Sequence, residues 1–212
     1  MTPLKAFYKA QAESVIKKLE QRNMEGFYCQ TSDEALQKAL SLMEAHSVIS
    51  WGGSQTISEI GLISELTHLP YTLLDRSVAT TADETRDIYL KAFNADYYLM
   101  SANAITLDGE LINIDGTGNR AAALIYGPKN VIVIAGMNKI VTDQASGMDR
   151  VRNFAAPPNA IRIGHDQTPC SKTGKCHDCL SEQCICCQTV ITRFSRIPKR
   201  IKVILVGEPL GY

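Results

Sequence analysis

The chain has 212 residues, with 22 Lys+Arg against 22 Asp+Glu, and its 45% hydrophobic and 21% charged content is that of an ordinary globular protein. Zero formal charge excludes an electrostatic case for gripping a nucleic-acid backbone or an anionic membrane surface. The N-terminal "MTPLKAFYKAQAESVIKKLEQ" has no apolar signal-peptide core, and the longest apolar run, Val131 to Met137, is far short of a membrane span, so the expectation is a cytoplasmic protein.

Leu4, Tyr8, Val15, Ile16 and Leu19 recur at helical spacing and predict an amphipathic N-terminal helix. "GFYCQ" predicts a short strand on which the isolated Cys29 reads as core, so residues 1–30 form a helix and a strand. Thr31 or Ser32 caps a second helix whose apolar face is Ala35, Leu36, Ala39, Leu40 and Met43. "SVISW" is a strand that stops at Gly52-Gly53-Ser54, and a helix follows with Ile57, Ile60 and Ile63 inward. "YTLL" is the next strand, and a helix from Ala82 to Asn94 leads to the strand "DYYLMS". "LDGELINID" reads as a hairpin turn plus strand, and "GTGNRAAALIYG" as a helix with glycines at its start. "NVIVIAG" is wholly apolar, as a parallel strand buried on both faces must be. A late helix through Asp149 to Phe154 ends at Pro157-Pro158, and a Cys-rich loop, residues 165–188, precedes the terminal strands "QTVITRF" and "RIKVILVGE". The alternation predicts an α/β fold: residues 1–212 as one domain, a layered, mostly parallel sheet flanked by helices, with a Cys-rich C-terminal excursion.

Two stretches carry candidate chemistry. At Gly52, Gly53 and Ser54, glycines let a ligand approach the backbone, and the following helix start offers free N–H groups suited to a phosphate or carboxylate. The bland alternative is a tight turn with Ser54 as a helix cap. In "SANAITLDGELINIDGTGNRAA", Asn103 falls beyond a strand end, where open parallel sheets place ligands. Asp115, Gly116, Thr117, Gly118, Asn119 and Arg120 then combine a carboxylate, glycines, a hydroxyl and a cation before a helix, with Asp115 as the acid/base candidate. Here the alternative is a hairpin turn, a cap and a solvated arginine. Lys139, after the strand end at "GMNK", could add a cation, although a lysine there is more often solvated.

The stretches "SWGGSQTISEIGL", "SANAITLDGELINIDGTGNRAAALIYGPKNVIVIAGMNKIV", "RVRNFAAPPNA" and "KVILVGEPLGY" resemble the LUD domain of LutC-type lactate-utilisation proteins, from about Asp33 onward. The resemblance implies a fold like that of ribose-5-phosphate isomerase, glucosamine-phosphate deaminase (NagB) and the CoA transferases. It also implies a role in oxidising L-lactate alongside iron–sulfur partner subunits. More distantly, the region is similar to methylthioribose-1-phosphate isomerase, which reads Gly-Ala-Asp where this chain has Ser101-Ala102-Asn103. An amide cannot replace that acid/base aspartate, which counts against sugar-phosphate isomerisation.

Six of the seven cysteines follow the spacing C-x5-C-x2-C-x4-C-x-C-C from Cys170. Cys176 and Cys179 form a C-x2-C knuckle, and Cys170 and Cys186 would complete a four-thiolate site, the four that the resemblance to shorter LUD proteins implies; Cys184 and Cys187 read as extras, although either could replace Cys186. The tetrahedral thiolate set suits an iron–sulfur cluster or zinc, and the pathway implied by resemblance leans to the former. A thiol switch and buried free cysteines are the competing readings. Three functions follow as expectations: an accessory oxidoreductase subunit holding a cluster, an isomerase- or transferase-like enzyme, and a ligand-binding regulatory module with structural zinc. The expected ligand is a small anionic metabolite, and self-association into a homo-oligomer is left open.

Overall fold

The computed structural model describes residues 2–212. Helix α1 (Pro3–Gln21) starts at Thr2, whose hydroxyl accepts the Lys5 N–H, and buries Ala12, Val15 and Leu19. The chain continues through β1 (Glu25–Cys29), α2 (Ser32–Ser41), β2 (Val48–Trp51), α3 (Gln55–Glu59), α4 (Leu62–Leu66) and β3 (Thr72–Leu74). Next come α5 (Ala82–Ala92), β4 (Tyr97–Met100), β5 (Ala104–Thr106), β6 (Leu111–Asp115), α6 (Asn119–Ile125), β7 (Asn130–Gly136) and β8 (Ile140–Val141). Helix α7 (Gln144–Arg150), a π-helical segment (Val151–Ala155), α8 (Ala156–Arg162), α9 (Pro169–Thr173), β9 (Gln188–Thr192) and β10 (Ile201–Val206) complete it.

Six strands form a wholly parallel sheet in the order β1-β10-β7-β4-β2-β3. Strand β7 lies inside it, paired with β10 from Val131–Ile201 to Gly136–Val206. Its alternate residues feed two cores. Val131, Val133 and Ala135 pack on the face covered by α1, α5 and α6, while Ile132 and Ile134 pack on the face covered by α2, α3 and α4. Burial on both faces accounts for the unbroken apolar run in its sequence.

A second sheet, β8-β5-β6-β9, departs from the single sheet that the sequence predicts. Strand β6 runs antiparallel to both β5 and β9, so "QTVITRF" joins the hairpin rather than the main sheet. The hairpin turns at Gly109, whose φ of +81° and position against the α1 backbone (3.0 Å from Leu19 N to a built Cβ) leave no room for a side chain.

Two helices also differ from expectation. The helix after β2 breaks into α3 and α4 because Gly61 takes a left-handed conformation (φ +72°), which buries Ile57 and Ile60 and leaves Ile63 only partly covered. The predicted stop at Pro157-Pro158 is instead a start. The chain widens into the π-helical segment and continues without a break into α8, whose first turn holds both prolines; lacking N–H groups, they make no bond back to the wider turn before them. Among the described residues, no helix is long and apolar enough to cross a membrane.

Candidate functional site

A crevice of about 510 Å3 opens beyond the carboxyl ends of β2, β4 and β7, the place where parallel sheets expose strand-to-helix loops. Gly53, Ser54, Asn103, Asp115, Gly116, Thr117, Asn119 and Arg120 all line it, so both glycine-bearing loops meet there. Gly52 and Gly118 stand behind the wall. A Cβ on Gly52 would lie 3.0 Å from Arg120 Cδ and 3.3 Å from the Tyr98 hydroxyl, so this glycine makes space for the arginine. Gly118 is the N-cap of α6, and Ser54 caps α3 by accepting the Ile57 N–H at 3.4 Å. The Thr117 hydroxyl bonds Asn119 Oδ1 at 2.8 Å.

Asp115 and Arg120 hold each other. Arg120 Nε and Nη2 reach Asp115 Oδ1 at 2.9 and 2.6 Å, while Asp115 Oδ2 accepts the Ala121 N–H at 2.6 Å. The remaining guanidinium N–H groups bond Ser101 O, Asn113 Oδ1, Asn103 Oδ1 and Ile114 O between 2.6 and 3.0 Å. All five arginine N–H groups are thereby matched inside the protein. Asn103 also accepts the Arg150 Nη1–H through its carbonyl at 2.6 Å, and its Oδ1 takes the Ile114 N–H at 3.0 Å. A general base needs a free lone pair facing substrate, and both Asp115 oxygens already hold donors.

Other cations face the space without carboxylate partners. Lys139 is 4% exposed rather than solvated, and its Nζ donates to Thr56 Oγ1 at 2.8 Å and Ser101 Oγ at 3.0 Å. Burial, with Arg150 and Arg120 nearby, pulls its pKa down to about 7 against a smaller opposing pull from Glu59. Arg76 stacks on the Tyr89 ring, 5.8 Å from its centroid, and donates to the Tyr89 hydroxyl at 3.1 Å. A Cβ on Gly53 would fall 2.5 Å from Arg76 Nη2, so this glycine admits the guanidinium. Arg162, bonded to Asn159 Oδ1 at 2.6 Å, lines the same space. No salt bridge engages Arg76, Lys139 or Arg162 among the described residues. Arg76 and Arg162 have no motif around them in the sequence, whereas Lys139 is the cation that the strand end before it suggests.

The Cys-rich loop forms the opposite wall. Cys184, Cys186 and Cys187 line the crevice, whereas Cys170, Cys176 and Cys179 do not. The Cys187 N–H bonds Asp115 O at 2.9 Å, and the Cys176 N–H bonds Asn153 Oδ1 of the π-helical segment at 3.1 Å. All seven cysteines are free, and Cys29 is buried. Burial first, then the neighbouring thiols of Cys184, Cys176, Cys170 and Cys179, pushes the Cys186 pKa up to about 12. Ser181 and the Cys184 thiol lower that of Cys179 by hydrogen bonding. The donor chemistry therefore suits a thiolate-bound metal, since five sulfurs share one neighbourhood. Their placement is looser: no three His, Cys, Asp or Glu side chains among the described residues are grouped as a coordination shell. His177 is exposed and bonds Thr173 through Nε2 at 2.8 Å.

A family model described as the LUD domain matches residues 12–206. No curated protein matches the chain. Among solved structures, the chain is similar to a crystal structure of a DUF162 family protein from Deinococcus radiodurans, with 17% identity and a TM-score of 0.51 over 95% of this chain and 98% of that one. At that identity the likeness concerns the fold alone.

Two outcomes follow from the buried charges. Arg120→Ala strands Asp115 and four further acceptors, so urea unfolding is expected to register a loss of ~3–5 kcal/mol, and a loss below ~1 kcal/mol would contradict the network's structural role. For Lys139, the unfolded chain binds a proton that the folded chain lacks between about pH 7 and 10.5, so its contribution to stability rises with pH across that window. Lys139→Met is therefore expected to stabilise the fold most near neutral pH, with the advantage shrinking on the way to pH ~9 by at most ~1.4 kcal/mol per unit. A pH-independent difference between the two proteins would refute it.

Proposed function

The chain belongs to the LUD domain family, which is associated with lactate utilisation, and we propose that it works there as a cytoplasmic subunit or accessory factor binding a small carboxylate in the crevice. One observation carries the reading: among the described residues, Arg76, Lys139 and Arg162 line the crevice without carboxylate partners, while its acids are Asp115, buried and matched to Arg120, and Glu182, exposed at the surface. A crevice with unmatched cations and few water-facing acids lowers the free energy of a bound anion. The engaged oxygens of Asp115 favour this over the isomerase-like alternative, which needs that carboxylate as a base.

An iron–sulfur cluster on Cys170, Cys176, Cys179 and Cys186 belongs to the same proposal, with zinc as the alternative. It draws support from the thiols gathered around Cys186, and loading it requires the loop to contract. A bound cluster would supply one-electron transfer to partner subunits; zinc would only staple the loop.

Calorimetric titration with L-lactate and with pyruvate tests the crevice, with the uncharged lactamide as control. Binding of the acids but not the amide is expected, and Arg76→Ala should weaken it roughly tenfold or more, the value of one charged hydrogen bond. Equal affinity for acid and amide would overturn the reading. The cysteine set is tested by metal analysis of protein purified without oxygen: iron and sulfide that vanish in Cys176→Ser are expected, and stoichiometric zinc would assign the loop a structural role instead.

A further inference from the structure

Lys139 is an unusual feature for an anion site. A lysine that merely attracts an anion is best left hydrated at the rim, yet this one is 4% exposed at the end of β7 and lines the crevice from within. Its two partners are hydroxyls, each with a backbone carbonyl of its own in reach. Thr56 Oγ1 lies 3.3 Å from Leu210 O and Ser101 Oγ 3.3 Å from Ala102 O, so both can accept from Nζ while donating to those carbonyls. A neutral amine in this place donates its two N–H bonds to those oxygens, at 2.8 and 3.0 Å, and its lone pair is the one valence left over. Among the described residues no carboxylate lies within salt-bridge distance to hold the ammonium form; Arg150 and Arg120 oppose it, and Glu59 favours it more weakly. With a pKa of about 7, a substantial fraction of the chains carry the free amine at neutral pH.

We propose that Lys139 is an imine-forming residue and that the crevice captures a 2-oxo acid covalently. This rests on the reading of the crevice as a carboxylate site and names the substrate class for it. The Nζ lone pair forms a C–N bond to the ketone carbon, the carbonyl π pair moves to oxygen, and one N–H proton passes to that oxygen. The resulting carbinolamine takes a proton from solvent and loses water, leaving a protonated imine. Nothing is oxidised or reduced, so no further reactant is needed. The carboxylate next to the ketone has Arg76 and Arg162 available in the same space. In that position the iminium withdraws electrons from the adjacent carbons of the acid.

The test uses the full chain and pyruvate, reduced in place with borohydride and digested for peptide mass mapping. The expected product is one adduct per chain, heavier by pyruvate less one oxygen atom, on the peptide holding Lys139. Mapping on the parent protein avoids reliance on a Lys139 variant that fails to fold. Ribose 5-phosphate, whose aldehyde the same amine could trap, is run beside it. No adduct on Lys139, adducts scattered over exposed lysines, or an adduct from the sugar phosphate alone would each overturn the proposal. Equilibrium dialysis with labelled pyruvate separates the two failures: binding without an adduct removes only the imine, and absence of both removes the carboxylate site as well.

Discussion

The Asp115–Arg120 pair is the constraint from which the site is built. It joins the last residue of β6 to the first turn of α6, and the guanidinium then ties in the ends of β4 and β6 through Ser101, Asn103 and Ile114. The pair is nearly buried, at 6% and 12% side-chain exposure, and a charge at that depth is tolerable only because every donor finds an acceptor. Satisfying the arginine even dictates the neighbouring amide. Asn113 turns Oδ1 to it, which leaves Asn113 Nδ2 as the one buried side-chain N or O atom without a partner among the described residues.

That internal matching decides what the rest of the crevice can do. Arg120 and Asp115 cancel locally, so the field a ligand meets is set by Arg76, Arg162 and Lys139. Arg120 still matters at a distance, because its charge and that of Arg150 disfavour a second ammonium beside them. An arginine fixed for structural reasons thereby adds to the effect of burial in lowering the pKa of Lys139, which is charged in only a fraction of the molecules at neutral pH. The same residues that position the loops also condition the amine.

Much of the fold was legible because strand and helix signals are local. Strand β7 announces itself as an apolar run, and Thr31 and Ser54 sit where helix caps belong. What stayed hidden depends on contacts far apart in sequence. Strand β8 has two residues, too few for any periodicity, and β6 is buried along its whole length, so its place in a second sheet has no alternation to show. Gly61 is compatible with a helix until its φ is known. "DGTGNR" offers the right groups for an anion cradle, and the i, i+5 closure of Asp115 on Arg120 across the turn is a tertiary fact. Lys139 is a charged residue just past a strand end, where solvent is its usual environment; its burial comes from α3 and the β4 end closing over it.

The Cys-rich loop and Lys139 line one cavity, which would couple any group held by the loop to the ligand in the crevice. Cys184, Cys186 and Cys187 form one wall, and the Cys187 N–H is anchored on the carbonyl of Asp115. Ile185 packs over Gly116, with backbone atoms 3.5 Å from where a Cβ would stand. Contraction of the thiols around a metal would move this wall, and the Cys187–Asp115 hydrogen bond would pass that movement to the residue that aligns Arg120. Loop loading and ligand binding would then bias each other, because two ligands that favour the same arrangement of one element are thermodynamically linked in both directions. Were a redox or structural centre held in this loop, the hydrogen bond from Cys187 to Asp115, rather than any contact between sulfur and substrate, would be its physical route to Lys139.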